Sequence, residues 1–267
     1  MRKLLTVLIF AGLTFPVFPA DPPPSRLMNG INWIDFRQWV PERIDTVLLP
    51  VGTVEAHGVA NNGADNTVPE AIARDLAEPL NAMIAPTISY GITNSLQAFP
   101  GSIRISEATF RAYAKEVIAE LAKSGFKNLI VINGHGPNYV PLQEVCAEVY
   151  RETRVRTLVF NWWTLTADIT KEVYGTDGGH AGVNETAAVI ATNPEWVRKE
   201  YADKDLAWWS IEGLSPYPYP SSIILYKAEE GYPDFDEGKA RDFYSKVLKR
   251  LEAMIRTTIE KWDQAGL

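Results

Sequence analysis

Only one cysteine and three histidines occur in the 267 residues. A single thiol, Cys146, leaves no partner for an intramolecular disulfide and excludes a cysteine-built zinc site; in its helical segment it reads as a small buried hydrophobe. Runs of Lys and Arg are missing, the formal charge is -7 and the pI about 5.1. The electrostatic footprint of a nucleic-acid binder is therefore absent, and an anionic membrane surface is disfavoured. No apolar run spans a bilayer comfortably: the one from Leu4 to about Phe15 is broken off by Pro16 and Pro19. The loop after the first predicted strand carries no Gly-x-Gly-x-x-Gly or Walker pattern, which argues against a nucleotide-binding domain.

What is present supports a sizeable core. Hydrophobic residues make up 46% and charged residues 22%, ordinary globular values. Arg2 and Lys3, the apolar run and the small-residue end "FPA" have the layout of a secretory signal peptide over residues 1–20, cleaved after Ala20. The mature protein is thus expected to be exported, periplasmic or secreted, with no membrane contact after cleavage. A proline-rich linker over 21–29 is expected to be extended and mobile, and 30–267 to form a single domain. Continuously apolar runs at 46–51, 82–88, 127–133 and 155–160 read as buried strands. Amphipathic stretches at 67–80, 106–125, near 139–152, from about Asn184, and at 238–262 read as helices, the second capped by Ser106 and ended by Gly125. Strands of this kind separated by helices imply an α/β fold with a mostly parallel sheet covered on both faces. The segment 203–236, with Trp208, Trp209, Tyr217 and Tyr219, reads as irregular, its aromatics packing rather than contacting ligand.

All three histidines sit in glycine-rich segments: His57 in "VEAHGVANNGAD", His135 in "NGHGPN" and His180 in "GGHAGVNET". The first two segments directly follow predicted strands, and ligands bind outside the C-terminal ends of parallel strands. Glu55 and His57 can share one site, Asp65 comes round with the same loop, and its two oxygens can bridge two ions. Imidazole with carboxylate suits Zn, Mn or Fe better than Ca or Mg. One or two such ions per chain can hold a hydroxide that attacks an amide-like carbon of a small-molecule substrate. Taken singly, each histidine is an ordinary loop residue; the joint pattern carries the reading.

In order, "LPVGTVEAHG", "ADN", "ISYG", "FPGSI", "GFKNLIVINGHGPN" and "HAGVNETA" resemble the motifs of the creatininase (creatinine amidohydrolase) family. The resemblance runs from about Val47 to Pro194. It implies a three-layer α/β/α sandwich, a two-metal site and hydrolysis of C–N bonds in cyclic amides, formamides and, in one branch, a peptide. By motif it implies Glu55, His57, Asp65 and His135 as metal ligands, with Asp65 bridging, and His180 as the proton shuttle to the leaving nitrogen. It also implies a homo-oligomer, creatininase itself being a hexamer.

The departures lie in the second metal site and the pocket. Pro137 stands where creatininase has a glutamate ligand, and Glu185 is a replacement ligand or a partner behind the ligands. Val183, Leu96 and Thr176 replace polar or aromatic residues of relatives, so creatinine is not the expected substrate. Trp162, Trp163, Tyr90 and Phe99 are expected near the pocket, with core packing expected for one of the tryptophans. The reading is an exported metal-dependent amidohydrolase acting on a non-peptide C–N bond. The alternative is a non-catalytic metal- or ligand-binding homologue outside the cytoplasm.

Overall fold

Every predicted apolar run contributes a strand to one parallel sheet. The computed structural model describes residues 22–94, 96–203 and 231–267. Strands β1 (Thr46–Val51), β2 (Ala82–Ile84), β3 (Asn128–Asn133) and β4 (Arg156–Asn161) lie in the order β2-β1-β3-β4, with all pairs parallel. In register, Val51 pairs with Asn133 and Asn133 with Asn161, so three strands end level. The segments that leave this edge therefore start side by side.

The period-2 alternation of a strand splits the core in two. Val47, Leu49 and Val51 of β1 face one way, toward Phe110, Ala114 and Ile118 of α3 (Glu107–Lys123) and Leu142, Val145 and Val149 of α4 (Tyr139–Thr153). Leu48, Ile130 and Ile132 face the other way, toward α2 (Ala64–Ala77), α7 (Val183–Thr192) and the long α8 (Glu237–Gln264). Burial of both sheet faces explains why the strands read as continuous apolar runs. The result is the three-layer arrangement expected from the sequence. Ser106 caps α3 by accepting from the Thr109 N–H at 3.2 Å, and Gly125 follows that helix with φ +103°.

Four local expectations need correction. α2 starts at Ala64, not Thr67, so Asp65 belongs to a helical first turn rather than a loop. β2 stops at Ile84; Pro86 lacks an N–H for the ladder, and pairing resumes only as an isolated bridge between Val51 and Ile88. The supposed mobile linker is docked at its end: the Arg26 carbonyl accepts from Ile84 N–H at 2.7 Å and Leu27 bridges to Ile84 along the sheet edge. Short helices α1 (Trp33–Trp39), α5 (Trp162–Leu165) and α6 (Ala167–Tyr174) were not anticipated, being too short to show a helical period. Residues 1–20 of the predicted signal peptide, and residues 204–230 with Trp208, Trp209, Tyr217 and Tyr219, lie outside the described residues. Among the described residues no helix is long and apolar enough to cross a membrane.

Candidate metal centre

Glu55 and His57 lie in the loop that leaves β1, Asp65 in the first turn of α2, and His135 directly after β3. Two glycines let α2 approach the strand ends. A Cβ on Gly52 would stand 2.2 Å from the Asp65 carbonyl oxygen, and one on Gly134 would stand 2.0 Å from it. Pro69 lies inside α2 and brings no N–H to the Asp65 carbonyl one turn earlier. That carbonyl therefore nestles between the two glycine backbones, and the Asp65 side chain points at the histidines. Asn133 and Asn138 hold the backbone around His135. Asn133 Nδ2 donates to the His135 carbonyl at 2.6 Å, and Asn138 Nδ2 donates to the Gly52 carbonyl at 3.0 Å.

Glu55, His57, Asp65 and His135 are 1–5% exposed. His57 Nε2 lies 2.9 Å from Asp65 Oδ1 and 3.6 Å from Glu185 Oε2. His135 Nδ1 lies 2.9 Å from Asp65 Oδ2 and 3.3 Å from Glu55 Oε1. Each ring is oriented through its other nitrogen. His57 Nδ1–H donates to the Glu55 carbonyl at 3.1 Å, His135 Nε2–H to the Ile92 carbonyl at 3.0 Å and His180 Nε2–H to the Ala56 carbonyl at 2.9 Å. A carbonyl only accepts, so these bonds fix the tautomers and turn the remaining nitrogens toward the carboxylates. His180 Nδ1 faces Glu55 Oε1 at 3.7 Å, and its ring lies 4.4 Å from that of His57.

The carboxylates govern how the ligand histidines titrate. Burial alone would lower the pKa of His57, but the charge of the Asp65 carboxylate 2.9 Å away, helped by Glu185 and Glu55, raises it to about 10. Burial likewise opposes protonation of His135, and Asp65 and Glu55 overcome it, again to about 10. Burial would raise Asp65, yet the two imidazoles hold its carboxyl well below the usual carboxylate range. Burial pushes Glu185 up to about 8 against the pull of His57. His180 goes the other way: burial and the neighbouring His57 push it down to about 4, so its ring is neutral at physiological pH.

Those donors suit a divalent cation. Three sets of ligand atoms converge within 4.8 Å of one another: Glu55, Asp65 and His135; His57, Asp65 and Glu185; and Glu55, His57 and His180. Asp65 is common to the first two. His57 Nε2 and Asp65 Oδ2 are buried and make no directed hydrogen bond, despite near neighbours. Such orphaned atoms cost stability unless something satisfies them, and a metal ion satisfies both at once.

A pocket of about 260 Å³ opens beside the cluster, lined in part by Glu55, Asp65, His135, His180 and Glu185. A larger hollow of about 320 Å³, over the β2 edge, contains none of the histidines. Trp163 and Leu96 wall the active pocket, whereas Trp162 is 2% exposed and packed in the core between the sheet and α8, which corrects its expected place. Tyr90 is 49% exposed and lies outside the lining, a second correction. Phe99 packs behind the wall, against Leu96, Ala181 and Ala56. Asn94, four residues after Tyr90, lines the pocket and was missed, because aromatic character drew attention within that loop.

A family model described as creatininase, creatinine amidohydrolase, matches residues 29–226, more than half of the chain. The chain belongs to the creatininase family. It is 28% identical over 193 residues to the creatinine amidohydrolase of Pseudomonas putida, covering 65% of this chain and 74% of that one. It is 26% identical over 263 residues to the 3-dehydro-scyllo-inosose hydrolase of Thermotoga maritima, covering 85% and 81%. A mycofactocin precursor peptide peptidase of Mycobacterium ulcerans is 26% identical over 170 residues, covering 59% and 62%. The crystal structure of creatininase superposes with a TM-score of 0.76 at 22% identity, over 88% of this chain and 98% of that one, which shows the shared fold. Solved forms of creatininase include a zinc–zinc form and a manganese form. These relatives are hydrolases, and one is a peptidase, so the expected restriction to non-peptide bonds is narrower than the family.

Proposed function

We propose that this creatininase-family protein is an exported, metal-dependent amidohydrolase that cleaves a C–N bond of a small amide, cyclic amide or formamide. The observation that carries the reading is the sharing of Asp65 between two converging ligand sets at the wall of a pocket. Glu55, Asp65 and His135 would hold one ion, and His57, Asp65 and Glu185 the other. Glu185 thus supplies the carboxylate that Pro137 does not. Zinc, manganese or iron bound there supplies Lewis acidity and lowers the pKa of water.

The chain's own residues supply orientation and proton transfer. Asp65 is fixed by the glycine contacts under α2, and Glu185 Oε2 is fixed by the Ala181 N–H at 2.7 Å. His180 donates through Nε2 to a backbone carbonyl, so Nδ1 is the atom that takes a proton and passes it to the departing nitrogen. Leu96 and Trp163 give the pocket an apolar wall beside the cluster. Export is supported by the charge and apolar pattern of residues 1–20, and a homo-oligomer by the creatininase resemblance.

The test is elemental analysis of mature protein purified without chelator or affinity tag, followed by turnover of lactams, formamides, small amides and short peptides. Two equivalents of transition metal and metal-dependent turnover are expected. A metal-replete protein that turns over nothing in this panel would favour the non-catalytic binding role, and a protein that takes up no metal would overturn the hydrolase and move the weight to a ligand-binding or structural role.

A further inference from the structure

Asn94 is the only neutral side-chain amide among the described lining residues of the pocket. Its Oδ1 accepts from the Arg104 Nε–H at 3.3 Å. That bond places a guanidinium one hydrogen bond away from the pocket wall, and it leaves the Asn94 amide N–H groups as donors. Among the described residues no other Arg or Lys side chain bonds to a lining residue, and no carboxylate lies within ion-pair distance of Arg104. Arg111, Arg198, Arg241, Arg250 and Arg256 each pair with a carboxylate, and Arg37, Arg43 and Arg154 each lie over an aromatic ring; Arg104 differs in being bonded to a side chain that lines the pocket. Arg104 is exposed, and its two Nη groups stand open to a ligand. A planar fork of N–H donors matches the two oxygens of a carboxylate, and such charge-assisted bonds are the strong ones.

Resting on the hydrolase reading above, we propose that the site takes amides that carry a carboxylate, and that Arg104, seated by Asn94, binds that group at the pocket mouth. The reacting amide then lies toward Glu55 and His180, with Leu96, Pro137 and Trp163 around the short apolar body between the two ends. A pocket of about 260 Å³ limits that body to a few carbons. N-acylated amino acids and lactam carboxylates belong to this class; fatty amides do not.

The experiment compares two lactams that differ by the carboxylate, pyroglutamate and 2-pyrrolidinone. Both are titrated by ligand-observed NMR into the metal-loaded protein and its Arg104→Ala and Arg104→Lys variants, with circular dichroism to verify folding. The wild type is expected to bind pyroglutamate about tenfold or more tightly than 2-pyrrolidinone, from one charge-assisted contact. The ratio collapses toward one in Arg104→Ala and is partly kept in Arg104→Lys. Equal binding of the two lactams by the wild type, no binding of either, or a carboxylate preference that persists in Arg104→Ala overturns the proposal; the last result would mean that the carboxylate goes to the metal. Because binding is read without turnover, the two readings separate. An Arg104-dependent preference without hydrolysis supports carboxylate recognition and fails the hydrolase, while hydrolysis without the preference does the reverse.

Discussion

Replacing Gly134 by alanine puts a methyl group where the structure has no room. The new Cβ would stand 2.0 Å from the Asp65 carbonyl oxygen, 2.6 Å from Pro69 Cγ and 2.9 Å from the Asp65 carbonyl carbon. Ordinary non-bonded contacts of carbon lie at roughly 3.5 Å, so the gap must open by more than about an ångström. Neither side is a flexible tip: one is the end of a central strand, the other the first turn of α2. Overpacking of this kind costs about 1–3 kcal/mol, which for a chain of this size lowers Tm by roughly 2–12 °C. Asp65 serves both converging ligand sets. Metal geometry tolerates only about ±0.2 Å, so the shift should weaken both ions by at least about tenfold. Gly136→Ala, on the other side of His135, is the control: nothing lies within 4 Å of its added Cβ, and a stability change within about 0.5 kcal/mol is expected. Thermal melts in chelator isolate the packing cost, and elemental analysis after gel filtration reads the metal. If Gly134→Ala melts and holds metal like Gly136→Ala, the close approach of α2 to the strand ends is not what positions Asp65.

Three further outcomes are expected. Glu185→Gln should lower metal content from two equivalents to one, because Glu185 Oε2 is the third donor beside His57 and Asp65; unchanged stoichiometry would show that His57 finds its ion without it. His180→Ala should keep its metal and lose about 10²–10⁴ in kcat, and full turnover would remove the ring from the proton path. Cys146 is 3% exposed and burial pushes its thiol up to about 12. In the folded protein it should ignore a thiol reagent at about pH 8 and react only on unfolding. The same raised value means that its contribution to stability is whole below the unfolded thiol pKa of about 8.5 and fades as pH climbs toward 12. A fast-reacting native thiol would refute the burial.

The sequence by itself determined the layers, the strand count and the neighbourhood of the chemistry. Runs such as Val47 to Val51 are apolar on both faces because both faces are covered, and that pattern needs no partner to be read. Glu55, His57 and His135 were legible because histidine is scarce here and glycine-rich turns after strands are where a parallel sheet exposes side chains. Tertiary structure alone decided the rest. Asp65 became a helical residue because Gly52 and Gly134, distant in sequence, leave space for the α2 terminus. Glu185 came within 3.6 Å of His57 across 128 residues of chain, a meeting that no local period encodes. Trp162 and Trp163, adjacent and chemically alike, took different places, the first inside the core and the second at its edge on the pocket wall, because consecutive helical residues point about 100° apart. Propensity and periodicity describe what each segment prefers; which side chains share a pocket is set by how helices and strand ends pack, and that depends on contacts between residues far apart in the sequence.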